Sequence, residues 1–317
     1  MTAKGYSLNI GLNYVDPAHY QGWNGALIAC ENDAQDMAAL ARAEGYEVRT
    51  LIRDQATRAA VIGEIEAAAD ALVAGDIFLV SCSSHGGQIP NAVGGDAEPD
   101  GLDETWCLFD GELIDDELEL LWHKFQDGVR VLFISDTCHS ESMARALPPR
   151  AAAGGLLPAS RTRNMPGRIE RQVYLANQGF YQDLQASARA GLARAAPLGC
   201  TVRTLAGCLD RELAYDGEEN GAFTAGLLTA WNFGRFRGEY SAFHQEIIRH
   251  VNRRQTPQHN VFGRLNPAYD AQRPFTIEDS RAPLRRPSRA RAPALTGAAE
   301  DAGANGVPLG DTITVVV

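Results

Sequence analysis

Two polar side chains stand where strand-like apolar runs end, and between them they can do nucleophilic chemistry. In "VRVLFISDTCHSES", residues 129–142, a hydrophobic run leads straight into Asp136, Cys138 and His139. In "DIFLVSCSSHGGQ", residues 76–88, a second run delivers His85 and is followed at once by Gly86 and Gly87. A lone cysteine or histidine at such a place is ordinarily structural. The pairing changes that, because a thiolate attacks a carbonyl carbon while an imidazole handles the proton. Cys138 and His85 lie 53 residues apart on strands expected to be neighbours. His139 competes as the base, but successive residues at a strand end point to opposite sides, so His85 is preferred. The backbone N–H groups of Gly86 and Cys138 are the expected holders of an oxyanion, glycine allowing substrate to come close.

The elements that must position this pair follow from periodicity. "SLNIGLNYV", "YEVRTLI", "DIFLVSCSS", "VRVLFISDT" and "CTVRTLAGC" read as strands, with a further strand near "HNVFG". "DAQDMAALARAEG", "TRAAVIGEIEAAADALVAG", "DDELELLWHKF", "YQDLQASARAGLARA", "AFTAGLLTAWNF" and "SAFHQEIIRHVNR" read as helices between them. Strands alternating with helices imply crossover connections and a mostly parallel sheet covered on both faces. Ligands of such sheets gather at the carboxyl ends of the strands, where His85 and Cys138 fall.

Composition limits the alternatives. With 317 residues and 45% hydrophobic content, the chain buries a core without disulfide or metal staples. The net charge of −11 disfavours nucleic acid and anionic membrane as partners. The amino-terminal residues lack a signal-peptide pattern, and no run approaches the ~20 apolar residues of a membrane span. Six cysteines without C-x-x-C or zinc spacing suit reduced thiols and a cytoplasmic location.

"SSHGG" and "SDTCHSE", preceded by "GALIACENDA" and followed by "AGCLDRELAYDGEENGAFTAGLL", resemble the bacterial metacaspases, or orthocaspases, within the caspase-like cysteine peptidases. The Gln-Ala-Cys-x-Gly signature of true caspases is absent. The resemblance implies a caspase–haemoglobinase fold, an α/β architecture with a mostly parallel central sheet sandwiched between helices, over residues 1–277. Within it come a large-subunit-like part (1–143), a mobile connector (144–177) and a small-subunit-like part (178–277). The Pro/Ala/Arg-rich residues 278–317 are expected to be a disordered tail.

It also implies hydrolysis of peptide bonds after Arg or Lys through an acyl-enzyme, with no cofactor needed for the chemistry. Substrates are then proteins or peptides with a basic residue at the cleaved position. The matching pocket positions are Asp33, Ser83 and Asp136, with Asp210 and Asp216 on a loop that lines the cleft. For Asp33 a plain helix-capping role remains open, since "DAQD" opens a helix. Between Asp96 and Glu119 run eleven acids with no Lys or Arg. Asp100, Asp103, Asp115 and Asp116 match a region that in the family binds an activating Ca²⁺, although Arg145 stands where a further acid is expected. The connector carries Arg145, Arg150, Arg161, Arg163, Arg168 and Arg171 against the single acid Glu170. The expectation is a chain held latent until this segment is cut, by itself or by an upstream protease. The alternative is a catalytically silent module of the same fold that captures basic peptides.

Overall fold

The computed structural model describes residues 2–91, 101–137, 162–208, 214–251 and 255–277. Six strands form one sheet in the order β2-β1-β3-β7-β8-β9: β1 (Gly5–Gly11), β2 (Glu47–Ile52), β3 (Ile77–Ser83), β7 (Arg130–Asp136), β8 (Thr201–Ala206) and β9 (Gln258–Gly263). All pairings are parallel except that of β9 with β8. The apolar runs become strands buried on both sides because each face has its own layer of helices. On β3, Phe78, Val80 and Cys82 turn to one face and Ile77 and Leu79 to the other.

The first face packs on α2 (Arg58–Ala71) and α3 (Asp115–Trp122) through Val61, Ile65, Leu121 and Trp122. The second packs on α1 (Cys30–Ala43), α6 (Ala222–Trp231) and α7 (Tyr240–His250) through Met37, Leu40, Phe223, Leu227, Phe243 and Ile247. These apolar positions recur at helical spacing, so each helix buries one stripe. The short helix α8 (Pro267–Asp270) places Tyr269 in this second layer.

Two parts of the chain differ from expectation. The described part of the acidic run is built into a second, three-stranded sheet, in which β5 (Leu102–Leu108) pairs antiparallel with both β4 (Gly86–Pro90) and β6 (Gly111–Ile114), and into the start of α3. The later part of the expected mobile connector is also built into the fold. Residues 162–165 lie against the main body, and α4 (Gly167–Ala176) follows, burying Val173 and Tyr174 ahead of α5 (Gln178–Leu192). Residues 144–161 and the tail from 278 onward lie outside the described residues.

Candidate active site

β3 and β7 run parallel in register, Ser83 opposite Asp136. His85 comes two residues after Ser83. Cys138 and His139 lie outside the described residues, and the chain is followed as far as Thr137. The His85 ring is buried, and its Nε2 lies 3.0 Å from the Gly25 carbonyl oxygen. A carbonyl only accepts, so Nε2 carries the proton and Nδ1 is the open lone pair of the neutral ring. Nδ1 is buried and makes no hydrogen bond of good geometry among the described residues, although the Asn164 backbone lies close to the ring. Burial pushes the pKa of His85 down to about 4, helped by the charge on Arg163 and opposed by the backbone of Gly25 and Asn164.

The loop after β1 supplies the orienting group. Trp23 packs on the imidazole at 4.7 Å between centroids, and Gly25 adopts φ +55° so close to the ring that a Cβ would come within 3.0 Å of Cδ2. Neither residue was expected; the Asn24-Gly25 turn signal could have pointed to the tight loop. The described cysteines, Cys30, Cys82, Cys107, Cys200 and Cys208, are free and buried. Burial raises the thiol pKa of Cys30 and Cys107 well above the usual range, and those of Cys82 and Cys200 to about 12. Held as thiols, these four are poor nucleophiles.

Beside His85, four of the expected pocket residues converge on one cation supplied by the chain itself. The Arg163 guanidinium is fully buried, with Nη2 2.6 Å from Asp33 Oδ2 and 3.1 Å from Asp216 Oδ1. Its Nη1 lies 2.6 Å from Ser83 Oγ, 2.9 Å from Asp136 Oδ2 and 3.0 Å from the Asp136 carbonyl oxygen. Burial opposes the charge on Arg163, but Asp136, Asp33 and Asp216 outweigh it and hold the group firmly protonated. Burial raises the pKa of Asp136, while Arg163 works the other way.

The carboxylates are in turn held in place. Asp33 lies in the first turn of α1 and caps nothing there; its Oδ1 accepts from Gly221 N at 3.0 Å and Asn220 Nδ2 at 3.1 Å. Asp136 Oδ2 accepts from Thr224 N at 3.1 Å and Thr224 Oγ1 at 2.7 Å, in the first turn of α6, where the helix dipole favours an anion. Asp216 accepts from the backbone of Ile28 and Ala29 just ahead of α1. Asp210 lies outside the described residues.

The Arg163 backbone lies like a bound peptide. Arg163 N donates to Ala214 O at 3.0 Å, Gly86 N donates to Arg163 O at 2.9 Å, and Met165 N donates to Gly86 O at 2.8 Å. The Gly86 N–H, one of the two expected oxyanion donors, is therefore engaged by the carbonyl of the Arg163–Asn164 peptide bond.

Of the acids assigned to calcium, Asp100 lies outside the described residues. Asp103 and Asp116 share the Arg189 guanidinium of α5, at 3.5 Å from Asp103 Oδ1 and 3.2 Å from Asp116 Oδ2, and Gln185 Nε2 donates to Asp103 Oδ2 at 2.8 Å. Asp115 Oδ1 accepts from Asp116 N at the start of α3. Among the described residues no three His, Cys, Asp or Glu side chains gather as metal ligands would. The arrangement does not fit a calcium ion, because a guanidinium already sits between the carboxylates.

A family model described as "Caspase domain" matches residues 14–271. The crystal structure of protein GSU0716 from Geobacter sulfurreducens is 46% identical, with a TM-score of 0.77 over 86% of this chain and 99% of that one. Metacaspase-1 of Emericella nidulans is 33% identical over 171 residues, 49% of this chain and 40% of that protein. Metacaspase-1A of Aspergillus fumigatus is 33% identical over 171 residues, 49% of this chain and 39% of that protein. The chain thus spans well under half the length of the curated relatives it matches.

Proposed function

Because the chain belongs to the caspase-domain family, we propose that it is a cysteine endopeptidase that cleaves polypeptides after arginine or lysine and stays latent until its own connector is cut. The observation that carries this reading is Arg163, whose side chain fills a buried three-carboxylate pocket while its carbonyl takes the N–H of Gly86. A substrate arginine entering the emptied pocket would bring its own carbonyl to the same donor. Acceptors divided between two nitrogens, Asp33 and Asp216 at Nη2 and Asp136 and Ser83 at Nη1, suit a planar guanidinium better than an ammonium, so arginine is the preferred residue.

In the reaction the Cys138 thiol loses its proton to Nδ1 of neutral His85, and the thiolate attacks the carbonyl carbon of the basic residue. The oxyanion is held by the N–H groups of Gly86 and Cys138. His85, still donating through Nε2 to Gly25, returns the proton to the leaving amine. Water then hydrolyses the thioester by the reverse use of the same groups. Neither step needs a cofactor. Packing of the imidazole against Trp23 and the Gly25 loop holds the ring's orientation while it cycles.

The test is turnover of a fluorogenic arginine peptide by the purified chain. Cys138→Ala and His85→Ala should each lower it by about three orders of magnitude or more, as for members of one catalytic unit. His139→Ala should cost far less. Tight binding of the peptide without turnover by the wild type would instead favour the silent module, and a dead His139→Ala variant would show that the base is misassigned.

A further inference from the structure

We infer that Gly221 is a specificity-determining residue of the arginine pocket, resting on the reading of that pocket as the substrate site. Its position explains why. A Cβ built on Gly221 would lie 2.4 Å from Arg163 Nη2, 2.5 Å from Cζ and 2.5 Å from Nη1. Such distances to three atoms of one group put that Cβ inside the space the guanidinium occupies. The absent side chain of Gly221 therefore leaves room for the group, while Asp33, Asp136, Asp216 and Ser83 hold its nitrogens.

The backbone does not demand glycine there. Gly221 has φ −59° and ψ 152°, a conformation open to any residue, and it occupies the cap position before α6. Serine is as good a cap as glycine or better. What the missing side chain provides is room in the pocket. The neighbouring Gly221 N–H donates to Asp33 Oδ1, so the same residue fixes one of the carboxylates and clears the space in front of it.

A methyl group at 221 acts unequally on the two basic side chains. An arginine pinned at both nitrogens collides with it through Cζ, Nη1 and Nη2 together. A lysine presents one terminal atom on a flexible stem, which can draw back and still pair with a carboxylate. Gly221→Ala therefore shifts the preference from arginine toward lysine, and Gly221→Ser shifts it further while leaving α6 at least as well capped.

Two measurements decide it. In the active chain, kcat/KM for matched arginine and lysine peptides should show the arginine-to-lysine ratio falling by about tenfold or more in Gly221→Ala, the scale on which one methyl group discriminates in a pocket. In the inactive full chain carrying Cys138→Ala, trypsin should cut the Arg163–Asn164 bond slowly while Arg163 is seated. Adding Gly221→Ala or Gly221→Ser should speed that cut by at least about tenfold. An unchanged ratio, equal losses for both peptides, or an Arg163–Asn164 bond no more open to trypsin in the variants would overturn the assignment. A wild type that cuts neither peptide would count against the proposed peptidase activity alone, leaving the trypsin measurement to judge Gly221.

Discussion

The proton inventory of His85 is decided by its surroundings. The ring is buried neutral, and its pKa of about 4 lies below the ordinary histidine value of 6.5. As the pH falls from 6.5 the unfolded chain binds the proton first, so stability is lost progressively down to about pH 4. At pH 4 the loss from this ring amounts to about 3 kcal/mol. Urea titrations of the Cys138→Ala chain between pH 4 and 7 should show that slope, and adding His85→Ala should flatten it. His259, half-buried beside Arg203 and likewise lowered to about 4, leaves part of the slope in the variant. An unaltered slope would mean that the ring is not buried as described.

At the scale of elements, the site is a consequence of two strands ending level. β3 and β7 pair along their whole length, so their last residues, Ser83 and Asp136, lie side by side, and α6 aims its amino end at Asp136. The second sheet and α5 do a different job. Arg189 lies between Asp103 and Asp116 and pairs with both. Turnover should therefore change little between EGTA and millimolar CaCl₂. Replacing Arg189 by alanine removes the cation that Asp103 and Asp116 share, so the melting temperature should fall and then recover on adding calcium. Wild-type activity abolished by EGTA and restored by calcium would contradict the role given to Arg189.

Across the whole molecule, the end of the connector lies in the candidate pocket through Arg163. Thr162 bridges to Tyr215 and Asn164 to Gly86, so residues 162–165 tie the two halves of the domain together through the pocket. The wild type should be found cut after Arg163, and the Cys138→Ala chain should remain intact. Arg163→Gln keeps the backbone hydrogen bonds of this segment but removes the cleavable arginine, so it should stay uncut and turn over arginine peptides slowly. Mass spectrometry of the purified chains beside their peptide turnover checks this. A wild type fully active as one uncut chain, or an Arg163→Gln chain as active as the wild type, would remove the basis for latency.

Local pattern was enough to find the strands of the main sheet and the main helices, and to set His85 just beyond the end of a buried strand, because period-two and period-3.6 burial are written into neighbouring residues. The small sheet was not legible in that way. Its buried positions include Asp103, Thr105 and Glu112, with Thr105 donating to Glu112 and Gln185 to Asp103, so in sequence the inward face looks like a solvated acidic run. Asp33, Ser83, Asp136 and Asp216 could be named from a family resemblance, yet nothing in the chain order says that they share one guanidinium. Six arginines of the connector look alike in sequence. Arg163 is singled out only by carboxylates brought from α1, from the end of β7 and from the loop before α6, partners 130, 27 and 53 residues away. Gly221, Gly25 and Arg189 have the same origin: what each contributes is a distance to a group far along the chain, and distances of that kind exist only after the sheet has closed.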